Sequence, residues 1–219
     1  MTIALCFGLS AVAQQVVYRE TFPVAEGEAA KLSDAGWQAW VYSPSDGRVH
    51  RDAASYVDLM RDNPSQPADV PPVAANADDD APVATGMLVN WNGGDFWPNP
   101  TLYLTEEFTL DTAADLTRIG WFQNNQDEAG GFRVALKIGT AWIVSDENFV
   151  GFGSRELVVR NASWRFLNVA NLKPDAEATM TALPDGPLTA FGVFGQHTGY
   201  AELDSFTLTA DITENEEPS

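Results

Sequence analysis

The chain has 219 residues, with 12 Lys and Arg against 31 Asp and Glu, a formal net charge of −19. The length suits one domain with a substantial core. The charge argues against nucleic acid, anionic lipid surfaces and highly sulfated glycans as partners, and solubility is its plainest consequence, although abundant carboxylates also suit Ca²⁺.

Residues 1–13 open an apolar run, MTIALCFGLSAVAQQ, whose Ala11-Val12-Ala13 segment fits the cleavage site of a secretory signal, although no basic residue precedes it. Cys6, the single cysteine, lies in this run behind Leu5, which is too large for a good lipoprotein signal. Cleavage after Ala13 removes it, and with it any disulfide, thiol nucleophile or thiolate metal site. The expectation is an exported protein, at the cell surface, periplasmic or extracellular, with no membrane insertion in its mature form; no other apolar run is long enough to cross a bilayer.

Residues 16–22 (VVYRETF) read as an opening strand. Residues 37–42 (WQAWVY) read as a second, with Trp37, Ala39 and Val41 on one face and Gln38, Trp40 and Tyr42 on the other. Residues 43–86 form a long excursion, with a helical turn expected from Ala53 through Tyr56 to Met60 and a Pro/Ala/Asp-rich remainder of low core-forming capacity. Strands resume at 87–91. Leu102, Leu104, Phe108 and Leu110 share a parity, interrupted by Glu106, that predicts a half-buried strand.

The clearest pattern is 116–145. Thr117, Ile119 and Trp121 alternate with Arg118, Gly120 and Phe122; a polar loop follows; then Phe132, Val134, Leu136 and Ile138 alternate with Arg133, Ala135 and Lys137. Gly139-Thr140 predicts a two-residue type II′ hairpin, which sets Ile138 opposite Ala141 and Lys137 opposite Trp142. Trp142 then lies on the face opposite the Phe132–Ile138 row. Further strands are expected at 156–160, 163–169, 178–181, 188–194 and 201–210, before an acidic tail at 213–219. Short strands separated by turn residues, with no long helical period, predict an all-β antiparallel two-sheet sandwich over 14–212.

The opening YRETF, the Trp-bearing second strand and the closing YAELDSFTLTA resemble the jelly-roll β-sandwich modules of secreted bacterial proteins, many of them carbohydrate-binding modules. The resemblance covers the mature chain in layout, on short motifs. It implies a non-catalytic domain that binds a neutral or weakly charged polysaccharide, with its first and last strands adjacent and an acid from each, Glu20 and Asp204, on a structural Ca²⁺. Two exposed acids at a sheet edge are the alternative.

Glycan recognition needs an aromatic face for pyranose C–H groups and polar neighbours for hydroxyls. The hairpin register puts Trp142 beside Lys137 with Arg133 on the same face, near the amides of Gln123, Asn124 and Asn125, and Trp97 is a second loop aromatic. Trp37, Trp121 and Trp164 are assigned to packing. A structural or adhesive module that binds protein is the alternative. A polysaccharide hydrolase or lyase is disfavoured: Glu202-Leu203-Asp204 lacks the third acid of a glucanase strand, and His50 and His197 are lone loop histidines.

Overall fold

A computed structural model describes residues 12–22, 29–51, 59–62, 86–91, 99–125, 130–196 and 200–213. The strands are β1 (Val12–Glu20), β2 (Ala29–Ala30), β3 (Trp37–Ser43), β4 (Arg48–Arg51), β5 (Leu59–Asp62), β6 (Gly86–Trp91), β7 (Thr101–Thr105), β8 (Leu116–Asn125), β9 (Gly131–Ile138), β10 (Ala141–Ser145), β11 (Gly151–Val158), β12 (Trp164–Asn168), β13 (Lys173–Pro174), β14 (Leu188–Gln196) and β15 (Tyr200–Thr213). They form two antiparallel sheets, so the all-β sandwich read from the sequence is the observed architecture. The seven-stranded sheet runs β11-β8-β15-β6-β5-β2, with β1 also on β15; the eight-stranded sheet runs β13-β12-β10-β9-β14-β7-β3-β4.

β15 is the spine of the seven-stranded sheet. One of its edges pairs with β8, while the other takes β6 along residues 200–203 and β1 along 206–213. The register slips by one residue between Asp204 and Thr207, where Ser205 takes a positive φ of 54°. That extra residue lets Leu203 and Phe206 both point inward, and both are fully buried.

Phe206 joins the two sheets. Its ring lies 5.1 Å from Trp37 of the eight-stranded sheet, 6.1 Å from Phe191 and 6.0 Å from Phe22, and stacks at 6.5 Å on Trp121 of its own sheet. Trp37, Trp121 and Trp164 are at most 1% exposed, as their assignment to packing requires. The residues chosen for β3 by alternation divide as expected, with Trp37, Ala39 and Val41 in this core.

Several expectations change, among them the strand at 178–181, where the structure has only an isolated bridge from Met180 to Trp164. Leu59 and Met60, expected in a helical turn, belong to β5, where Met60 pairs with Leu88 and Ala30; cross-strand partners outweigh local propensity. The excursion also supplies β4, an edge strand on β3, while 52–58 and 63–85 lie outside the described residues. β7 is buried along its whole length rather than on one face. Of the three strands read in 116–145, β8 belongs to the seven-stranded sheet and the β9–β10 hairpin to the other. At the chain start, Val12 and Ala13 already pair with Thr213 and Ile212.

Because Phe206 touches both sheets, Phe206→Ala is expected to cost about 3–5 kcal/mol, measured as a fall in the urea midpoint. Phe166→Ala, at a residue 42% exposed, should cost under half as much.

Candidate functional site

The hairpin has the predicted register. Gly139 is at φ 57° while Thr140 is not in the positive-φ region, which fits a type II′ turn rather than I′; Ala141 faces Ile138 and Trp142 faces Lys137. Trp142 therefore lies on the outer face of the eight-stranded sheet, away from the core between the sheets. It is not an open platform there, for only 5% of it is exposed.

The cause is a second apolar cluster on that outer face: Trp40, Leu102, Leu104, Ala135, Trp142, Val144, Leu167, Leu172, Ala190 and Phe194. Three cross-sheet rows build it. One runs Trp142, Lys137, Ala190. The next runs Val144, Ala135, Gly192, Leu104, Gln38. The third runs Arg133, Phe194, Leu102, Trp40, Arg51. Trp142 and Trp40 thus sit on strands four ladder steps apart, about 19 Å in a flat sheet. Their rings nevertheless meet edge-to-face at 5.8 Å. The sheet is cupped, both indoles lean inward, and the middle row is small at its centre, with Ala135 beside Gly192. A side chain at 192 has no room, since a Cβ there would stand 1.8 Å from the Tyr103 carbonyl oxygen.

Polar groups rim the cup. Trp40 donates its indole N–H to Gln38 at 3.3 Å. The Arg51 guanidinium lies 4.1 Å over the Trp40 ring. Lys137 pairs with Glu106 at 3.0 Å. Arg133 instead donates to the carbonyls of Ser145 and Asp146; burial lowers its pKa, with neighbouring Asp146 acting in opposition. Its head group is therefore occupied in holding the turn after β10, a turn that Arg165 also grips through the Asp146 carboxylate.

The other predicted contacts do not join this face. Gln123 is fully buried inside the sandwich, accepting from the Trp121 indole at 2.9 Å and donating to the Phe149 and Gly151 carbonyls at 3.0 and 3.2 Å. It is a structural residue, because its inward parity on β8 places it against Trp121. Asn124 and Asn125 lie in β8 of the opposite sheet, not beside Trp142. Trp97 and His197 lie outside the described residues. His50, on β4, bonds Asp46 at 2.9 Å. Trp40 is the contact that sequence reasoning passed over; its shared parity with Gln38 and Tyr42 was the available signal.

The proposed metal acids are on paired strands, with Glu20 opposite Phe206, two positions from Asp204. Glu20 accepts from Thr21 and Phe22 amides at 2.9 and 2.7 Å and from the Tyr18 hydroxyl at 3.3 Å. Burial, then the Glu20 carboxylate, push the Tyr18 phenol well above its ordinary pKa. Asp204 is 1% exposed and accepts the Ser205 amide. Hard carboxylate oxygens beside two backbone kinks, at Phe22 (φ 44°) and Ser205, fit Ca²⁺ in donor chemistry. Among the described residues no three His, Cys, Asp or Glu groups cluster as a metal site, so backbone carbonyls would have to complete the shell.

No family model matches the chain, and no curated protein matches it. Among solved structures, one similar to it holds the CBM22-1 and GH10 modules of Clostridium thermocellum endo-1,4-β-D-xylanase 10B complexed with xylohexaose, at a TM-score of 0.39 and 11% identity, covering 93% of this chain and 30% of that one. The present chain thus spans under a third of that protein. Another is the CBM2 module of the evolved Dit of Lactobacillus casei BL23 phage J-1, at a TM-score of 0.40 and 8% identity, covering 94% of this chain and 99% of that one.

Gln123→Leu is expected to cost about 3 kcal/mol, because an indole donor and two carbonyls lose their partner, measured by urea unfolding. Arg51→Ala should change stability by under about 1 kcal/mol while speeding hydrogen exchange at the Trp40 indole N–H, followed by NMR.

Proposed function

We propose that this chain is an exported, non-catalytic glycan-binding module whose contact face is the cupped outer face of the eight-stranded sheet. One observation carries the reading: the Trp40 ring is overlain by the guanidinium of an exposed edge-strand arginine, Arg51, at 4.1 Å. An exposed cation–π contact is worth about 0.5–1 kcal/mol, so a pyranose ring with its C–H face toward the indole can displace Arg51 at little cost. Trp142 then serves as the edge-to-face support of the stacking ring. Lys137, Glu106 and Gln38 stand at the rim to bond hydroxyls, and the displaced Arg51 can do the same. A neutral or weakly charged polysaccharide suits a chain of formal charge −19, since that charge repels polyanions.

Affinity electrophoresis in gels containing neutral polysaccharides tests this. Trp40→Ala should lose retention by at least about tenfold, the scale of one lost stacking contact. Arg51→Ala should keep or improve it. Retention unchanged in Trp40→Ala would sink the site, retention of wild type on no glycan would favour a protein-binding adhesive module, and release of reducing ends would show an enzyme.

We also propose a structural Ca²⁺ held by Glu20 and Asp204. Calcium should raise the melting temperature by about 2–4 °C for each kcal/mol of binding linkage, and EDTA should reverse it. A melting temperature indifferent to both would remove the ion, and Asp204→Asn should abolish the response.

A further inference from the structure

The opposite outer face, that of the seven-stranded sheet, carries a second aromatic. Phe152, on β11, is 65% exposed, more than Val150 (43%) or Phe166 (42%). Its ring stands edge-to-face on Phe122 at 5.2 Å and 89°. Phe122 itself is only 3% exposed, so the exposed ring rests on a buried one and is held upright at the sheet surface.

The strand that presents it is locked from its free side. β11 is an edge of the seven-stranded sheet, and an ordinary edge offers unpaired carbonyls to any passing strand. Here Arg155 reaches back along its own strand and donates to three alternate carbonyls: Val150 at 2.6 Å, Phe152 at 3.2 Å and Ser154 at 3.3 Å. Gly151 (φ 82°) and Gly153 (φ 119°) make this possible. A Cβ at either position would lie 3.5 or 3.8 Å from a guanidinium nitrogen, so the side chain runs over both glycines. The sequence GFGSR thus encodes a self-capped edge with one upright aromatic.

Along the outer face of β11 the residues after Phe152 are polar. Ser154 is exposed, and Glu156 pairs with Arg118 of β8 at 3.0 Å. From Phe152 to Glu156 the strip spans about 13 Å, room for more than one pyranose. Across the sheet, Asn124 stands in register with Phe152, and Glu202 with Asn124.

We infer that this strip is a second glycan-contact site, with Phe152 as its stacking ring and Ser154 and the Arg118–Glu156 pair as its hydroxyl-bonding groups. The ligand class is a neutral pyranose chain, which offers an apolar C–H face and hydroxyls together. A second copy of the chain is the weaker occupant on two grounds: Arg155 takes the carbonyls that strand addition needs, and two molecules of formal charge −19 repel. The inference rests on the glycan-binding reading above and adds to it: with sites on opposite outer faces, one molecule can bridge two chains of a polysaccharide, and avidity follows without tighter single contacts.

The test is an NMR titration of the full chain with neutral β-1,4-linked xylo-, cello- and mannohexaose, reading the amides of 152–154 and the Trp40 indole N–H separately. The expected result is that both respond to the same sugar. Phe152→Ala should abolish the response at 152–154 while changing the apparent Kd at Trp40 by no more than about twofold, as independent sites require; Phe152→Tyr should restore it. Phe152 is mostly exposed, so Phe152→Ala should fold, and unchanged amide dispersion elsewhere checks this. Response at 152–154 with Trp40 silent would leave this site standing and remove the other. Response at Trp40 with 152–154 silent would overturn this proposal alone, and silence at both would overturn both. Concentration-dependent shifts at 150–154 without sugar would overturn it in favour of self-association.

Discussion

Phe206 against Trp37 and Trp121 is the contact on which the sandwich depends. Two sheets of seven and eight strands can pack only if their inner faces interdigitate. Here the interdigitation is aromatic, with rings of Phe22, Phe191 and Phe206 gathered around Trp37. The local kink at Ser205 is what aims Phe206 inward. Aromatic packing of this kind adds geometric preference to burial, so it sets how the sheets sit as well as holding them together. The Tyr18 hydroxyl, which receives the Trp37 indole N–H at 3.2 Å and gives its own proton to Glu20, satisfies the polar atoms at one end of the same cluster.

The eight-stranded sheet is unusual in carrying an apolar cluster on each face. An antiparallel sheet in a sandwich ordinarily keeps one wet side, but here the outer side holds a cluster of its own around Trp40 and Trp142. The cupping that brings those indoles together needs small residues at Ala135 and Gly192. On this outer face the Trp40 ring is overlain by the exposed Arg51, whereas Trp37 and Trp121 of the inner core pack against other rings.

Much of the fold was legible because period 2 and turn chemistry are local. Gly139-Thr140 set the β9–β10 register to the residue, and the parity of Trp37, Ala39 and Val41 assigned them to one face, which proved to be the inner one. Wetness was not legible. Alternation separates Trp142 from the Phe132–Ile138 row but is silent on whether the second face is covered, and coverage comes from Trp40, far away in sequence. The same limit explains Gln123. Its amide resembled a surface group, yet its odd-numbered place with Ile119 and Trp121 on β8 already pointed inward. That β8 and β9 belong to different sheets was also hidden, because only the partners of each strand decide it.

The pairing of β1 with β15 joins Val12 to Thr213, about 200 residues apart in sequence. The spine strand of the seven-stranded sheet is the last of the described strands in chain order, so β1 and β8 gain that neighbour only after every other described strand has been made. Long-range pairing of this kind delays folding. β1 has no other partner among the described strands, so its edge stays open until β15 is present, and an open strand edge is a point where a chaperone can act.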